Sequence, residues 1–467
     1  MTYRVNFTIV KLTSVMKKLL KYSQKVIEYG FYGLAFFVPL IFTTATFELF
    51  EFPKMILVYL LTILIVGAFL VKSIIAGKLN LKRTPLDLPI LLYVACYTLS
   101  AIFSIDRYTS VFGYYTRFNG GLLSLICYVA LFYVFVSQKT ENTRPQRLRR
   151  SKVGRGKQRT EKFVGLLLAS ALLVSAYGVM QHFGIDKDYW VQDVQRRVFS
   201  TLGQPNWLAA FLVMVIPVSL SLLLRKRQHK VLQLQTIAYC LVPITLYSAF
   251  WFTHSRSGLL GFAAAIVTFL VFLGKENLKK HWRPLLLVGV AWATISILTF
   301  TPKIVAAADQ GSAATAVNPT GSTVQIRLAV WRGTLELIKD YPLLGTGPET
   351  FAYSFLPYRP VELNQTAEWQ FLFNKTHNEY LNIAACTGLL GLAAYLWIIS
   401  RFILWNTREF IRMSANKCEC ANEQILRAGL FAGWIGVVVS NFFGFSVVVT
   451  SLLFWLFMAL SVEIQNE

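Results

Sequence analysis

The chain has 467 residues, 55% of them apolar, with a mean hydropathy of +0.51 and a net charge of +23. Apolar runs of roughly 17–25 residues recur from end to end, the length that crosses a bilayer, which excludes an ordinary soluble domain. The basic excess lies in short loops between these runs, which argues against a nucleic-acid partner and for a membrane protein with a positive-inside bias.

The runs do not alternate as barrel strands would, so they are read as helices. Residues 1–30 form a basic cytoplasmic lead-in without a signal-peptide cleavage site. Four spans follow within 31–138 (31–47, 54–76, 86–105 and 119–138). The basic loop 139–162 leads to five more within 163–301 (163–183, 205–224, 233–253, 258–274 and 284–301). A long loop, 302–377, precedes the last three spans within 378–467 (378–400, 427–448 and 450–464). The expected fold is all-α and polytopic, with about twelve transmembrane helices and the long loop between helices nine and ten.

With the N-terminus inside, loops 77–85, 139–162, 225–232, 275–283 and 401–426 are all inside and all basic. Both termini are then cytoplasmic, and 106–118, 184–204, 254–257 and 302–377 face outward. In the long loop, 304–324 is small and polar. Residues 325–340 repeat apolar side chains at Leu328, Trp331, Leu335 and Ile338, an amphipathic helix expected to lie on the membrane as a lid. Tyr341-Pro342 stops it, and Leu344-Gly345-Thr346-Gly347-Pro348 reads as a turn.

The outward segments hold the polar residues of interest. Arg256 sits in a turn of a few residues at a bilayer edge, with no acid near it in sequence. Such an arginine is costly unless it binds a ligand or reaches lipid phosphate, and its planar fork suits phosphate. Arg197, Arg327 and Arg332 are read either as further anion ligands or as surface charges. His377 is either a base near neutral pH or an interfacial histidine with a satisfied hydrogen bond. Asn206, after Pro205, reads as a helix cap, and Thr387 and Gly391 as a small-residue packing seam. Asp186-Lys187-Asp188 is a DxD-like triplet without a third acid beside it. His254 is read as structural. Cys96, Cys127, Cys240 and Cys386 are packing residues within spans, and Cys418 and Cys420 are reduced thiols in an inner loop.

Taken in order, RVFSTLGQPNWLAAFL (197–212), THSRSGLLGF (253–262), IRLAVWRGTLELIKDYPLLGTGPETF (326–351) and THNEYLNIAACTGLLGL (376–392) resemble the O-antigen ligase/polymerase family. The resemblance covers roughly residues 190–395. It implies a GT-C-like glycosyltransferase in the bacterial inner membrane that works on its outer face in lipopolysaccharide or other cell-envelope polysaccharide synthesis. The donor would be an undecaprenyl-pyrophosphate-linked glycan. The acceptor would be a hydroxyl of lipid A core, another glycan or a protein; the motifs do not separate these.

Carried over by position, Arg197, Arg256, Arg327 and Arg332 would hold the pyrophosphate, with Asn206, Ser255, Asn378 and Glu379 as further substrate contacts and His377 as the functional histidine. His254 is not part of the shared pattern. His377 would orient or deprotonate the acceptor, which attacks the anomeric carbon from the opposite face, so inversion is expected. The pyrophosphate bond supplies the energy, so no cofactor, nucleotide or metal is implied. The chain ends at the membrane without the C-terminal repeat or soluble domain of some family members, which leaves the acceptor open. The alternative is a membrane transporter, since a bicarbonate-uptake-associated protein shares the family's look. Transport sites favour charges at the membrane middle, whereas these residues cluster at outer span ends.

Overall fold

The computed structural model describes residues 2–6, 14–138, 155–225, 234–309, 323–366, 368–415 and 421–464. Cys418 and Cys420, the middle of the long loop and most of the 139–162 basic run lie outside them. In chain order the helices are α1 (Ser14–Phe37), α2 (Glu51–Ile75), α3 (Asp87–Ile102), α4 (Arg107–Phe112), α5 (Leu122–Ser137), α6 (Arg155–His182), α7 (Pro205–Arg225) and α8 (Leu234–Phe252). They continue with α9 (Arg256–Leu273), α10 (Lys275–Asp309), α11 (Thr323–Asp340), α12 (Phe351–Ser354), α13 (Glu379–Ala415), α14 (Ala421–Ser440) and α15 (Val448–Ile464).

Among the described residues six helices are long and apolar enough to cross a membrane, and four shorter apolar helices accompany them. The protein is therefore a helical, multi-pass membrane protein. Several boundaries differ from the sequence reading. Helix α1 stops at Phe37, inside the expected span 31–47, and α14 stops at Ser440, inside the expected span 427–448. Helix α6 starts at Arg155 and α13 runs to Ala415, both within expected inner loops. Helix α1 starts at Ser14, inside the expected lead-in, and α10 runs to Asp309, into the expected loop. An amphipathic lead-in with apolar residues such as Val15, Leu19 and Tyr22 extends a following helix at no backbone cost. One departure from an all-α fold is a two-stranded antiparallel ribbon, β1 (Thr2–Asn6) with β2 (Lys78–Lys82). The period-two alternation of KLNLK fits that pairing.

The core is built around α7, whose side chains are buried nearly throughout. Helix α14 packs closely against it, and the approach depends on glycine. A Cβ on Gly433 would lie 2.0 Å from the Met214 carbonyl oxygen.

Polar contacts divide the molecule into two faces. On one, Arg159 pairs with Glu463, Lys157 with Glu423 at 3.0 Å and Arg225 with Glu161 at 3.1 Å, while Lys82 N donates to Ser137 Oγ at 3.0 Å. These groups lie at the ends of α5, α6, α7, α14 and α15 that adjoin the basic loops. The remaining loops gather on the opposite face. There the buried Lys54 ammonium donates to the carbonyls of Ile41 (2.8 Å), Phe50 (3.1 Å) and Thr201 (2.7 Å). Its neighbour Glu51 accepts from Val448 N at 2.7 Å. Lys54 with its three carbonyls and Glu51 through its Oε2 tie the starts of α2 and α15 to the segment entering α7.

Helix α13 is broken at Gly388 (φ 70°, ψ −179°). The break frees carbonyls that a helix in lipid could not leave unpaired. Thr346 N donates to Ala385 O (3.0 Å), Gly347 N to Cys386 O (2.9 Å) and Leu389 N to Pro342 O (2.8 Å). A Cβ at residue 388 would meet the Leu343 carbonyl oxygen at 2.1 Å. The stretch expected to be a small-residue seam is thus the seat of the 342–348 turn, which fixes the outer segment carrying α11 and α12.

Candidate active site

The turn between α8 and α9 is set by three residues. Thr253 Oγ1 donates to Phe250 O at 2.7 Å and closes α8. His254 takes a left-handed conformation (φ 48°) and reverses the chain. Ser255 caps α9, its Oγ accepting from Gly258 N at 3.1 Å. Arg256 is therefore the first residue of α9, where the positive end of the helix dipole opposes its charge. Among the described residues it makes no ion pair or hydrogen bond.

Arg256 opens onto a cavity of about 500 Å³. Arg196, Arg197 and Arg256 bring positive charge to it, and Phe250, Trp251 and Leu259 supply an apolar wall. Among the described residues no acidic residue lines it. Arg197 Nε donates to Thr253 O at 2.9 Å, and its Nη2 to Asn206 Oδ1 at 3.1 Å. Burial, then the charges of Arg196 and Arg327, hold its pKa below the ordinary arginine value. Three guanidinium groups beside a helix N-terminus and a greasy wall suit an anion attached to an apolar chain.

A second, much narrower cleft lies across the wall of this cavity. Asn206, Trp207, Ser257, Arg327, His377 and Asn441 line it, together with Phe445. His377 is also left-handed (φ 55°) and its ring packs 5.5 Å from the Phe445 ring. Its backbone is held from both sides. Trp331 Nε1 donates to Thr376 O at 3.0 Å, and Asn378 Oδ1 caps α13 by accepting from Tyr380 N (3.0 Å) and Leu381 N (3.1 Å). Burial, followed by the charges of Arg327 and Arg117, pulls the His377 pKa down to about 4. The imidazole is thus neutral at physiological pH and has a lone pair to accept a proton. Among the described residues no hydrogen bond engages it.

The wall between the two hollows is one hydrogen-bonded unit. Asn206 Oδ1 accepts from both Arg197 Nη2 and Ser255 Oγ, the latter at 2.8 Å. An arginine can only donate, so the amide oxygen must face Arg197 and the amide nitrogen turns elsewhere.

The structure thus brings Arg197, Asn206, Ser255 and Arg256 together, with Arg327 and His377 on the far side of the wall. It does not bring Arg332, Asn378 or Glu379 to either hollow. Arg332 pairs with Glu362 at 3.0 Å on an exposed surface. Asn378 is spent on its cap. Glu379 Oε2 accepts from Ser446 N at 3.1 Å and ties α13 to the α14–α15 connection. Asp186 of the DxD-like triplet organises its own loop, accepting from Tyr177, from Gln181 (3.2 Å) and from Trp190 (2.8 Å).

Sequence reasoning missed Arg117. Its guanidinium lies 5.0 Å over the Trp207 ring, and its charge acts on His377. The only signal was an arginine in an outward loop, against the positive-inside bias. Also missed was the buried pair Lys375–Glu349. Burial alone would lower the Lys375 pKa, but Glu349 and Glu379 hold it above its ordinary value, so it stays charged two residues from His377.

Comparison with known proteins gives two findings. Residues 244–396 match the family described as O-antigen ligase, a stretch that includes the α8–α9 turn, α11 and His377. A protein of Haemophilus influenzae described as uncharacterized is 27% identical over 182 residues. That match covers 37% of this chain and 43% of the relative, so the chain spans less than half the length of the relative.

Proposed function

From the O-antigen ligase match over residues 244–396, we propose that the protein is a glycosyltransferase. It moves a glycan from undecaprenyl pyrophosphate to an acceptor hydroxyl on the outer face of the bacterial inner membrane, with both termini in the cytoplasm. The observation that carries this reading is the pairing of an arginine-lined, apolar-walled cavity with a cleft holding a neutral histidine, the two sharing the wall built on Asn206.

The pyrophosphate lies against Arg197 and Arg256, and the first isoprene units lie along Phe250, Trp251 and Leu259. His377, on the cleft side, takes the proton of the acceptor hydroxyl. The hydroxyl oxygen forms a bond to the anomeric carbon as the bond from that carbon to the pyrophosphate oxygen breaks. The electron pair leaves with the pyrophosphate, whose growing charge the arginines stabilise. The acceptor oxygen attacks the anomeric carbon from the face opposite the pyrophosphate oxygen, so the anomeric configuration inverts. Ser255 and Asn206 hold Arg197 in place, and Arg327 faces the reacting centre from the cleft. Arg332, Asn378 and Glu379 support the outer segment.

The test is reconstituted transfer. Purified protein is given undecaprenyl-pyrophosphate-linked glycan and host membrane extract, beside His377→Ala. The expected result is glycan on a heavier acceptor with the unaltered protein alone, the product mass naming the acceptor. Full activity in the variant would remove the general-base role. Absence of transfer with every glycan and extract would overturn the reading and make solute flux the next assay.

A further inference from the structure

Helix α11 has two apolar faces. Ile326, Val330 and Leu337 pack inward against Phe351, Phe355 and Phe373 in the core of the outer segment. Val324, Leu328 and Leu335 point the other way, and each is about half exposed (51%, 51% and 49%). Their spacing, with Trp331 between them, is that of a single helical stripe. The amphipathic pattern legible in the sequence is therefore mostly the uncovered face, not the one that makes the core. An exposed stripe opposite a packed face marks a second burial partner.

We propose that this stripe is seated in the outer leaflet of the bilayer, with lipid acyl chains as its occupant. Continuity with the membrane-embedded part supports lipid. Trp331 packs on Phe442 and Phe443, at ring distances of 6.2 and 6.0 Å, where α14 ends, and Phe442 is itself half exposed. Tyr341 and Leu343 extend the exposed apolar surface beyond the helix end. Aromatic side chains grouped at the end of a membrane helix are characteristic of the interface. Arg332 and Lys339 flank the stripe, paired with Glu362 and Glu336 at 3.0 and 2.7 Å, a charged border suited to the headgroup layer beside a helix lying in the interface plane.

The seat bears on the site through two residues of the same helix. Trp331 fixes Thr376 O, one residue from His377, and Arg327 lines the cleft. Bilayer contact therefore sets the depth at which the histidine and this arginine meet their substrates. The lipid contact stands apart from the transferase reading; only its effect on catalysis rests on that reading.

The experiment reconstitutes the full chain in phosphatidylethanolamine/phosphatidylglycerol vesicles containing a phospholipid with a diazirine on its acyl chain. After illumination, labelled peptides are mapped by mass spectrometry. Label is expected at Val324, Leu328 and Leu335 as well as at exposed span residues such as Ile63 of α2. In Leu328→Glu/Leu335→Glu, label should leave α11 and remain on α2, with the unfolding temperature unchanged. Label on α2 but none on α11 of the unaltered chain would overturn the proposal, as would a cross-link from the stripe to a second copy of the chain. Label on α11 without transfer in any glycan assay would uphold the lipid seat and count against the transferase reading alone.

Discussion

Arg256 and His377 owe their chemistry to one-residue backbone events. A left-handed His254 and a Ser255 cap put Arg256 at a helix start, with no acid paired to it among the described residues. A left-handed His377 stands between a bonded Thr376 and a capping Asn378. Arg256→Lys keeps the charge but loses the fork, so binding of undecaprenyl pyrophosphate to the reconstituted protein should weaken about tenfold, ~1.4 kcal/mol. Unchanged binding would remove Arg256 from the pyrophosphate. His377 acts as a base only when deprotonated, so with a pKa of about 4 transfer should be level from neutral pH down to mildly acidic pH and fall as pH drops through that pKa. Arg117→Gln removes one of the charges that depress it, so the acid limb should shift upward toward the ordinary histidine range. An unmoved limb would separate Arg117 from the histidine. Arg256 and His377 were legible because polar residues at outer span ends are conspicuous in an apolar chain. Arg117 was not, because its meeting with Trp207 joins segments far apart in sequence, which no local spacing encodes. Asn206 read as a helix entry for the same reason: its partners Arg197 and Ser255 meet it only in the folded chain.

At the scale of elements, helix existence was readable and helix contacts were not. The apolar runs announce spans, but α1 starts ahead of its run, where an amphipathic flank continues the helix, and stops at Phe37, while α10 runs on to Asp309. The glycines of α14 carry no hydropathy signal, yet they set how near α7 comes. Gly433→Leu would force a side chain into the Met214 backbone, and overpacking of this kind costs about 1–3 kcal/mol or more. The expected outcome is a lower unfolding temperature in detergent, checked by tryptophan fluorescence. An unchanged temperature would mean that α14 and α7 can separate without loss.

Across the whole molecule, charge segregation was the most legible property. The ion pairs at the ends of α6, α7, α14 and α15 adjoin the basic loops, and the unpaired Arg256 and the two hollows lie on the other face. A reporter active only in the cytoplasm, fused after Gly311, should give no signal. A signal there would put both hollows on the wrong side of the membrane for a lipid-linked donor presented outside.

The junction at Gly388 has a consequence for how such an outer segment can diversify. The turn at 342–348 is held to the broken α13 by main-chain amides and carbonyls. Peptide groups are common to every residue, so this joint reads mainly backbone shape, apart from Gly345, Gly347 and Gly388 and the hydroxyls of Thr346 and Ser100, which bond Ala385 O and Cys386 O. The outer segment behaves as an interchangeable tool head on a fixed socket. Its substrate-facing residues can be rewritten wholesale while the coupling that locates it over the membrane stays the same.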